Sequence, residues 1–430
     1  MPGGSYYIET YGCSLAEFDS GVMSSILESA GYSRVDAPED ADIVIVNTCS
    51  VRLETEQRIA LRLQELSRRL DGKKMIVAGC LVKSRPGLVN RVAPRAHLLS
   101  PQNVDRVLDA VSSRSRLVLL RGSRNTTGIP RLPVVDAVAT VMVAEGCLND
   151  CSFCISKLAR RELKSYPPRV IVETVEDLVR RGAREVRLTG LDVAAYGRDL
   201  PGKPSIADLV GMILDKVEGD YRIRIGMMTP ELAMEILDDL LDVYRDGRVF
   251  KFFHLPVQSG DDEVLRLMNR KYTVGEYKAL HSRIKSRFPD SMVATDIIVG
   301  HPGEDEEAFE RTLRLVEELR FERVHVAQYS IRPHTLSASM EQIPDPVKKE
   351  RSRRLMRLVE SIGREIHEAY VGGTYKALVT ERSFREDSMT ARLQNYMPVV
   401  LGYDGSLLGS WVKVKVTGAT FFDLRGVLAS

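Results

Sequence analysis

Short apolar runs alternate with amphipathic stretches over the first 115 residues of the chain. YYIET, IVIVN and KMIVAG are rich in β-branched residues, and each precedes a pattern with helical spacing, such as LRLQELSRRL. Strands that alternate with helices are typical of a parallel sheet with helices on its faces. We therefore predict an α/β domain over residues 1–115, followed by a Gly-, Pro- and Thr-rich linker, RGSRNTTGIPRLP, at 121–133.

A second alternating series starts at residue 134. Helical patterns such as VIVETVEDLVRRG and EEAFERTLRLVEELR separate six predicted strands: VVDAVATVMVAEG, REVRLTG, YRIRIGMM, VFKFFHLPV, MVATDIIVG and RVHVAQYS. Six β/α units are fewer than the eight that usually close a barrel of this kind. The pattern therefore predicts a partial (β/α)6 barrel, open on one side, in a domain that spans residues 134–365.

The period of the pattern changes towards residue 430. A charged helical stretch at 345–370 precedes the short strands YKALVT, MTARLQ and MPVVL. In WVKVKVT the valines alternate with Lys413 and Lys415, which indicates a strand with one apolar and one solvated face. We predict a small all-β, OB-like barrel over residues 368–430, so the whole chain is an α/β protein with three domains.

Composition and charge narrow the range of partners. The 430 residues are 44% hydrophobic and 28% charged, as in ordinary globular proteins, and the net charge is +2. A chain with so little net charge needs local basic patches to bind nucleic acid. The start MPGGSYYIET lacks the apolar core of a secretory signal, and no apolar run reaches the length of a membrane span. We expect a cytoplasmic protein without membrane contact, whose six reduced cysteines bind metal or react rather than form disulfides.

Three cysteines lie within eight residues directly after the first predicted barrel strand. The stretch GCLNDCSFC carries Cys147, Cys151 and Cys154 with the spacing C-x3-C-x2-C. Thiolates suit iron–sulfur clusters, zinc or copper(I), and a structural zinc site normally has four protein ligands in paired form. Three ligands favour a 4Fe-4S cluster with one open iron that can chelate S-adenosylmethionine. A zinc knuckle with a remote fourth ligand, or three free thiols, are the alternatives.

The other three cysteines are far apart in sequence but share one position relative to the strands. Cys13, Cys49 and Cys80 each follow a predicted strand, in YIETYGC, IVIVNTC and MIVAGC. The carboxyl ends of neighbouring parallel strands lie side by side, and ligand sites form there. We therefore predict a second 4Fe-4S cluster, also with an open iron. The alternative is three buried structural cysteines, because free cysteine packs readily in cores.

Several motifs together resemble the radical S-adenosylmethionine methylthiotransferase family. They are YIETYGCS, ADIVIVNTCSVR, VAGC, EGCLNDCSFCISKLAR, LTGLDVAAYGRD, HLPVQSGDDEVLRLMNRKYT and TDIIVGHPGED. The resemblance spans almost the whole chain and implies an N-terminal cluster domain, a radical barrel and a C-terminal TRAM barrel. CISKLAR, LKSYPP and RIGMMTP are most similar to the archaeal and eukaryotic type, which acts on N6-threonylcarbamoyladenosine at position 37 of tRNA. The alternatives are an isopentenyladenosine tRNA, a ribosomal-protein aspartate, or a non-catalytic zinc-containing RNA-binding protein.

The resemblance also implies a mechanism with two 4Fe-4S clusters and S-adenosylmethionine as cofactors. One cluster passes an electron to S-adenosylmethionine, and the resulting 5′-deoxyadenosyl radical takes the hydrogen from C2 of the adenine. The second cluster presents sulfur, which another S-adenosylmethionine first methylates. The implied partners are the tRNA anticodon loop, an electron donor of the flavodoxin or ferredoxin type, and a sulfur source.

Contacts to the cofactor and to RNA are predicted from strand ends and from basic stretches. The predicted S-adenosylmethionine contacts are Thr189, Gly190, Asp192, Gln258, Ser259, Asp296 and Tyr329. The predicted RNA contacts are Lys348, Lys349, Arg353, Arg354, Lys413 and Lys415. Each residue alone is as well explained by a turn, a satisfied polar contact or a solvated helix face.

Overall fold

A parallel sheet forms the N-terminal part of the chain in the computed structural model, which describes residues 3–70, 72–383 and 387–429. Its strand order is β2-β1-β3-β4-β5-β6, and every pairing is parallel. The strands are β1 (Ser5–Thr10), β2 (Ser33–Arg34), β3 (Ile43–Thr48), β4 (Lys74–Gly79), β5 (His97–Leu99) and β6 (Val118–Leu119). Because the run of β3 is buried throughout, helices must cover both faces of the sheet.

Five helices provide that cover. They are α1 (Ser14–Ser29), α2 (Leu53–Arg69), α3 (Cys80–Ser84), α4 (Pro86–Val92) and α5 (Val107–Ser112). On α2, Ile59, Leu63 and Leu66 are fully buried at helical spacing, and the intervening positions are mostly polar. The predicted alternation of strands and helices therefore corresponds to an α/β layer structure.

Six further parallel strands form two three-stranded sheets, β7-β10-β11 and β12-β13-β14. Isolated bridges, Ile223 with Val249 and Met227 with His254, join the two sheets, and no pairing joins β14 to β7 among the described residues. This arrangement confirms the predicted open barrel of six β/α units. A short antiparallel pair, β8 with β9, brackets the segment 146–163. The strands are β7 (Val138–Met142), β8 (Ala144–Glu145), β9 (Lys164–Ser165), β10 (Glu185–Thr189), β11 (Arg222–Ile225), β12 (Phe252–His254), β13 (Met292–Val299) and β14 (Arg323–Gln328).

Amphipathic helices surround this open barrel. Two of them start with reciprocal capping boxes, in which Ser205 pairs with Asp208 and Thr273 pairs with Glu276. The helices are α6 (Ser156–Ala159), α7 (Pro168–Arg180), α8 (Ile206–Lys216), α9 (Pro230–Glu235), α10 (Leu237–Val243), α11 (Asp262–Leu267), α12 (Val274–Arg287), α13 (Glu306–Leu319) and α14 (Asp345–Glu368). Across the described residues, no helix combines the length and the apolar character that a membrane crossing requires.

A closed five-stranded barrel follows α14, with strand order β15-β16-β17-β19-β18. The strands are β15 (Thr374–Arg382), β16 (Ser388–Arg392), β17 (Pro398–Gly402), β18 (Trp411–Ala419) and β19 (Leu424–Leu428). Its apolar core continues into the larger barrel, because Phe250, Phe252 and Met292 belong to the same buried cluster. The hydroxyl of Tyr396 also donates to Glu185 Oε1 at 2.5 Å. These contacts hold the small barrel against the amino-terminal ends of the large-barrel strands.

Candidate cluster sites and the cavity between them

Cys147, Cys151 and Cys154, here called the barrel trio, lie on the loop between β8 and α6. Gly146 at the start of this loop has φ +86°, and a Cβ there would lie 2.0 Å from the carbonyl oxygen of Glu162. Only glycine fits this turn. Burial raises the pKa of Cys147 to about 12 and also raises that of Cys151, and the neighbouring thiols of the trio add to both shifts. Such thiols stay protonated unless a cationic group binds them, because burial disfavours the thiolate.

Cys13, Cys49 and Cys80, here called the N-terminal trio, lie at the carboxyl ends of β1, β3 and β4. These three strands are neighbours in the sheet, so the structure brings the residues together at one edge. A Cβ on Gly12 would lie 3.2 Å from Cys49 Cβ. Burial raises the pKa of Cys49 and raises that of Cys80 to about 12; Cys13 adds to both shifts, and Cys49 adds to that of Cys80.

The donor set of each trio bears on the alternatives for these cysteines. Each trio offers three thiols, soft ligands that suit an iron–sulfur cluster, whereas a structural zinc site normally has four protein ligands. Three thiols therefore fit a 4Fe-4S cluster with one open iron. Elsewhere among the described side chains, His254, Asp296 and His325 place three potential ligand atoms within 4.8 Å of one another.

A buried arginine donates to one sulfur of each trio. Arg160 Nε lies 3.4 Å from Cys80 Sγ, and Arg270 Nη1 lies 3.3 Å from Cys151 Sγ. Arg160 is 1% exposed and Arg270 is 7% exposed. Both arginines lie within motifs quoted for the family resemblance, CISKLAR and HLPVQSGDDEVLRLMNRKYT, but only the fold shows that they are buried beside the cysteines.

Arg160 belongs to a buried quartet with Asp19, Arg124 and Glu145. Arg124 Nη2 lies 2.7 Å from Asp19 Oδ1, and Arg124 Nε lies 3.0 Å from Glu145 Oε2. Arg160 Nη1 lies 2.8 Å from Glu145 Oε1, and Arg160 also pairs with Asp19. Asp19 belongs to α1, Arg124 to the predicted linker and Glu145 to β8. The quartet therefore joins the N-terminal sheet to the barrel.

A cavity of about 610 Å³ lies between the two trios. On one side Val51 and Arg52 follow Cys49, and on the other side the segment 153–156 carries Cys154. Of the seven predicted S-adenosylmethionine contacts, this central cavity is lined by Gln258, Asp296 and Tyr329. Its volume matches that of sites for small molecules and cofactors.

Unsatisfied polar atoms occur on three residues that line the central cavity. Gln258 Oε1, the Tyr329 hydroxyl, and the Nε and Nη1 atoms of Arg332 are buried, with no hydrogen-bond partner among the described residues. Gln258 also has φ +70°, in the left-handed region that a residue with a side chain rarely adopts. Backbone strain of this kind concentrates at ligand sites, and a buried polar atom without a partner is costly. Both observations indicate that a polar ligand binds in the cavity.

The other predicted cofactor contacts lie outside the lining of the central cavity. Asp192 is buried and accepts from the Thr229 hydroxyl at 2.5 Å and from Asn149 Nδ2 at 3.4 Å. Asn149 lies on the barrel-trio loop, so Asp192 supports that loop. The Thr189 hydroxyl bonds to that of Ser14 at 2.6 Å, and Ser259 is fully buried. Gly190 follows β10, where a Cβ would lie 3.3 Å from the carbonyl oxygen of Ala144.

Two histidines, to which the sequence analysis assigned no role, contact the same carboxylate oxygen of Asp296. Asp296 Oδ1 lies 3.1 Å from His254 Nε2 and 2.8 Å from His325 Nδ1. Burial alone would raise the pKa of Asp296, but the two imidazole contacts lower it below its ordinary value. Asp296 is therefore a carboxylate at neutral pH, fixed at the wall of the central cavity.

The predicted RNA contacts differ in how accessible they are. Lys349, Arg353, Lys413 and Lys415 are exposed, and Lys349 lies at the rim of the central cavity. Lys348 is buried and pairs with Asp345, and Arg354 pairs with Glu306 and Glu310.

Sequence reasoning missed a second basic surface. Arg323, Arg392 and Arg425 line a cavity of about 320 Å³ between β14 and the small barrel, here called the arginine cavity. Arg323 lies 4.0 Å over the ring of Phe422, which is half exposed. The arginines come from three separate strands, so no local basic run marks them in the sequence.

Comparisons with known proteins agree with this architecture. The radical SAM superfamily matches residues 141–316, an uncharacterized protein family called UPF0004 matches 5–100, and the TRAM domain matches 368–429. Among solved structures, the radical S-adenosylmethionine methyltransferase TsrM from Kitasatospora setae has a TM-score of 0.57 at 13% identity, covering 79% of this chain and 74% of that chain. At this identity the likeness shows the fold alone. Fold and domain matches define a radical S-adenosylmethionine protein, a class that uses a 4Fe-4S cluster and S-adenosylmethionine.

Curated relatives give the family. A probable threonylcarbamoyladenosine tRNA methylthiotransferase of Archaeoglobus fulgidus is 39% identical over 429 residues, which is 98% of each chain. The Pyrococcus horikoshii protein of the same name is 39% identical over 92% of this chain and 93% of its own length. A tRNA-2-methylthio-N(6)-dimethylallyladenosine synthase of Chloroflexus aurantiacus is 36% identical over 98% of this chain and 91% of its own length. The chain belongs to the radical S-adenosylmethionine tRNA methylthiotransferase family.

Proposed function

We propose that this enzyme adds a methylthio group to C2 of N6-threonylcarbamoyladenosine at position 37 of tRNA. The barrel trio holds a 4Fe-4S cluster that binds S-adenosylmethionine, and the N-terminal trio holds a second 4Fe-4S cluster. The observation that carries this proposal is the central cavity, because it is walled by Cys154 on one side and by residues that follow Cys49 on the other. A base that entered it would lie between the two cysteine sites.

The protein's own residues position the reactants and shield them from water. When bound, the cofactors supply hydrogen abstraction from an aromatic carbon, which no side chain can perform. Phe153 and Ile155 give the cavity an apolar wall beside Cys154, while Gln258 and Arg332 offer unsatisfied polar atoms to a bound ligand. An anticodon-loop base must leave its stack to reach this point, and the open side of the barrel gives it a path.

The cluster assignment is tested by metal analysis after anaerobic reconstitution. We expect about eight irons per chain in the unmodified protein. Replacing all three cysteines of either trio with alanine should remove about half of the iron and leave the other cluster's absorption in place. Colourless protein with zinc, or full iron content in either triple variant, would contradict the assignment.

The substrate assignment is tested by turnover. Reconstituted enzyme is given tRNA carrying threonylcarbamoyladenosine or isopentenyladenosine, and the digested nucleosides are measured by mass spectrometry. We expect 2-methylthio product on the threonylcarbamoyl substrate. The second candidate substrate is isopentenyladenosine, because the Chloroflexus aurantiacus relative is named for that modification. Product on the isopentenyl substrate alone would reverse the choice.

RNA binding involves the exposed basic side chains around the open barrel and the small barrel. Lys349 lies at the cavity rim, and Lys413 and Lys415 lie side by side on the solvated face of β18. In the arginine cavity Arg425 pairs with Asp423 and Arg392 with Glu381. Arg323 lies over the exposed ring of Phe422, and a guanidinium beside an aromatic ring is a combination that binds phosphate and stacks bases. We further propose that the reaction takes place in the cytoplasm with a flavodoxin- or ferredoxin-type electron donor and a separate sulfur source.

A further inference from the structure

The two buried arginines at the cysteine trios have different electrostatic surroundings. Arg160 sits in the quartet with Arg124, Asp19 and Glu145, where two positive and two negative charges cancel. The charge of Arg160 beside Cys80 is therefore offset by two carboxylates in direct contact, while its Nε still donates to the sulfur.

Arg270 has no such neutral quartet. Its Nε lies 3.1 Å from the Tyr272 hydroxyl, and its Nη2 donates to the carbonyl oxygen of Pro256 at 3.1 Å, so its close oxygen partners are uncharged. The carboxylate of Glu231 acts on Arg270 and on Cys151 through space rather than through a hydrogen bond. The positive charge beside Cys151 is therefore offset less directly than the charge beside Cys80.

A cluster that accepts an electron gains one negative charge, and nearby positive charge and N–H donors to sulfur favour that reduced form. The effect of a charge is larger in a buried site, because the local dielectric is low. A guanidinium whose close oxygen partners are uncharged therefore favours reduction more than a guanidinium within a neutral quartet, although both make a similar N–H to sulfur contact.

We propose that Arg270 is a positioning residue that raises the reduction potential at the barrel trio above that at the N-terminal trio. One electron from a low-potential one-electron donor then goes to the barrel trio, where S-adenosylmethionine binds, and no bond forms or breaks in that transfer. The inference rests on the proposed function, since it requires a cluster at each trio. It goes beyond that function by assigning the order of reduction to a single side chain.

The test is an anaerobic redox titration with dithionite, followed by electron paramagnetic resonance of the reconstituted protein. Each cluster is followed alone, in a background in which the other trio is replaced by alanine. We expect Arg270→Gln to lower the ratio of reduced to oxidised barrel-trio cluster about tenfold at a fixed potential, which is 59 mV for one electron. Arg270→Lys keeps the charge and should recover most of the loss.

Two comparisons keep the result interpretable. In the unmodified trios the barrel-trio cluster should have the higher potential, and Arg270→Gln should lower it towards that of the N-terminal cluster. If Arg270→Gln does not retain iron, the order of the two potentials in the unmodified trios decides. An N-terminal cluster with the higher potential, or no shift with Arg270→Gln, would overturn the inference while leaving both clusters in place. Unmodified protein that binds no iron would instead overturn the proposed function.

Discussion

Removing one carboxylate from the buried quartet should destabilise the junction between the N-terminal sheet and the barrel. Asp19 is fully buried and is paired with both Arg124 and Arg160. The substitution Asp19→Asn keeps the shape of the side chain but removes its charge. The quartet then carries one uncompensated positive charge in a buried site, and breaking a buried pair in this way is costly.

The size of the effect follows from the contacts that are lost. Asp19 accepts two charge-assisted hydrogen bonds, each worth about 1.5–3 kcal/mol. The removal of one partner of a buried ion pair costs about 3–5 kcal/mol. Asparagine retains one acceptor oxygen, so we expect the lower end of this range, about 3 kcal/mol. For a cooperatively unfolding unit of about 150–250 residues, a loss of about 3 kcal/mol corresponds to a melting temperature about 10 °C lower.

The assay is thermal and urea unfolding of the iron-free, reduced protein, followed by circular dichroism. The matched control is Asp109→Asn, which removes an exposed ion pair with Arg106 in the same part of the chain. Exposed pairs contribute about 0–1 kcal/mol, so this control should melt within about 3 °C of the unmodified protein. If Asp19→Asn melted at the same temperature as the control, the buried quartet would not stabilise the junction.

Three further predictions address the loop, the pH dependence and RNA binding. Gly146→Ala should prevent iron uptake at the barrel trio, because the added Cβ would collide with the Glu162 carbonyl oxygen; iron analysis measures this loss. The control Gly211→Ala, in α8, places its Cβ where nothing lies within 4 Å and should stabilise the folded protein by about 1 kcal/mol in urea unfolding. Burial lowers the pKa of His281 from 6.5 to about 4. Between these two pH values the unfolded chain binds a proton at His281 that the folded protein does not bind. The free energy of unfolding should therefore decrease by up to about 3 kcal/mol as the pH falls from 6.5 to 4. His281→Leu should remove this decrease in urea titrations at several pH values, and an unchanged pH dependence would contradict it. Arg323→Gln should weaken tRNA binding and lower the salt slope by about one unit in filter-binding measurements; an unchanged slope would exclude Arg323 as a phosphate contact.

The sequence alone determined the order of the layers and the location of the cysteines. Hydrophobic periodicity is a local property, so β3, β10 and α13 could be predicted from their own residues. The convergence of the N-terminal trio was also predictable, because parallel strands place their carboxyl ends at one edge. The motif resemblance then linked these elements to a family.

Only the tertiary structure decided which polar side chains surround the cysteines. Asp19 meets Arg160 across 141 positions and Arg332 meets Glu56 across 276, and no local pattern records pairings between elements so far apart. The same holds for His254, Asp296 and His325, which come from three strands and meet only when the barrel forms. A strand or helix can be predicted from its own periodicity. The charge beside a buried sulfur depends on which distant elements pack against it, and that is decided only when the chain folds.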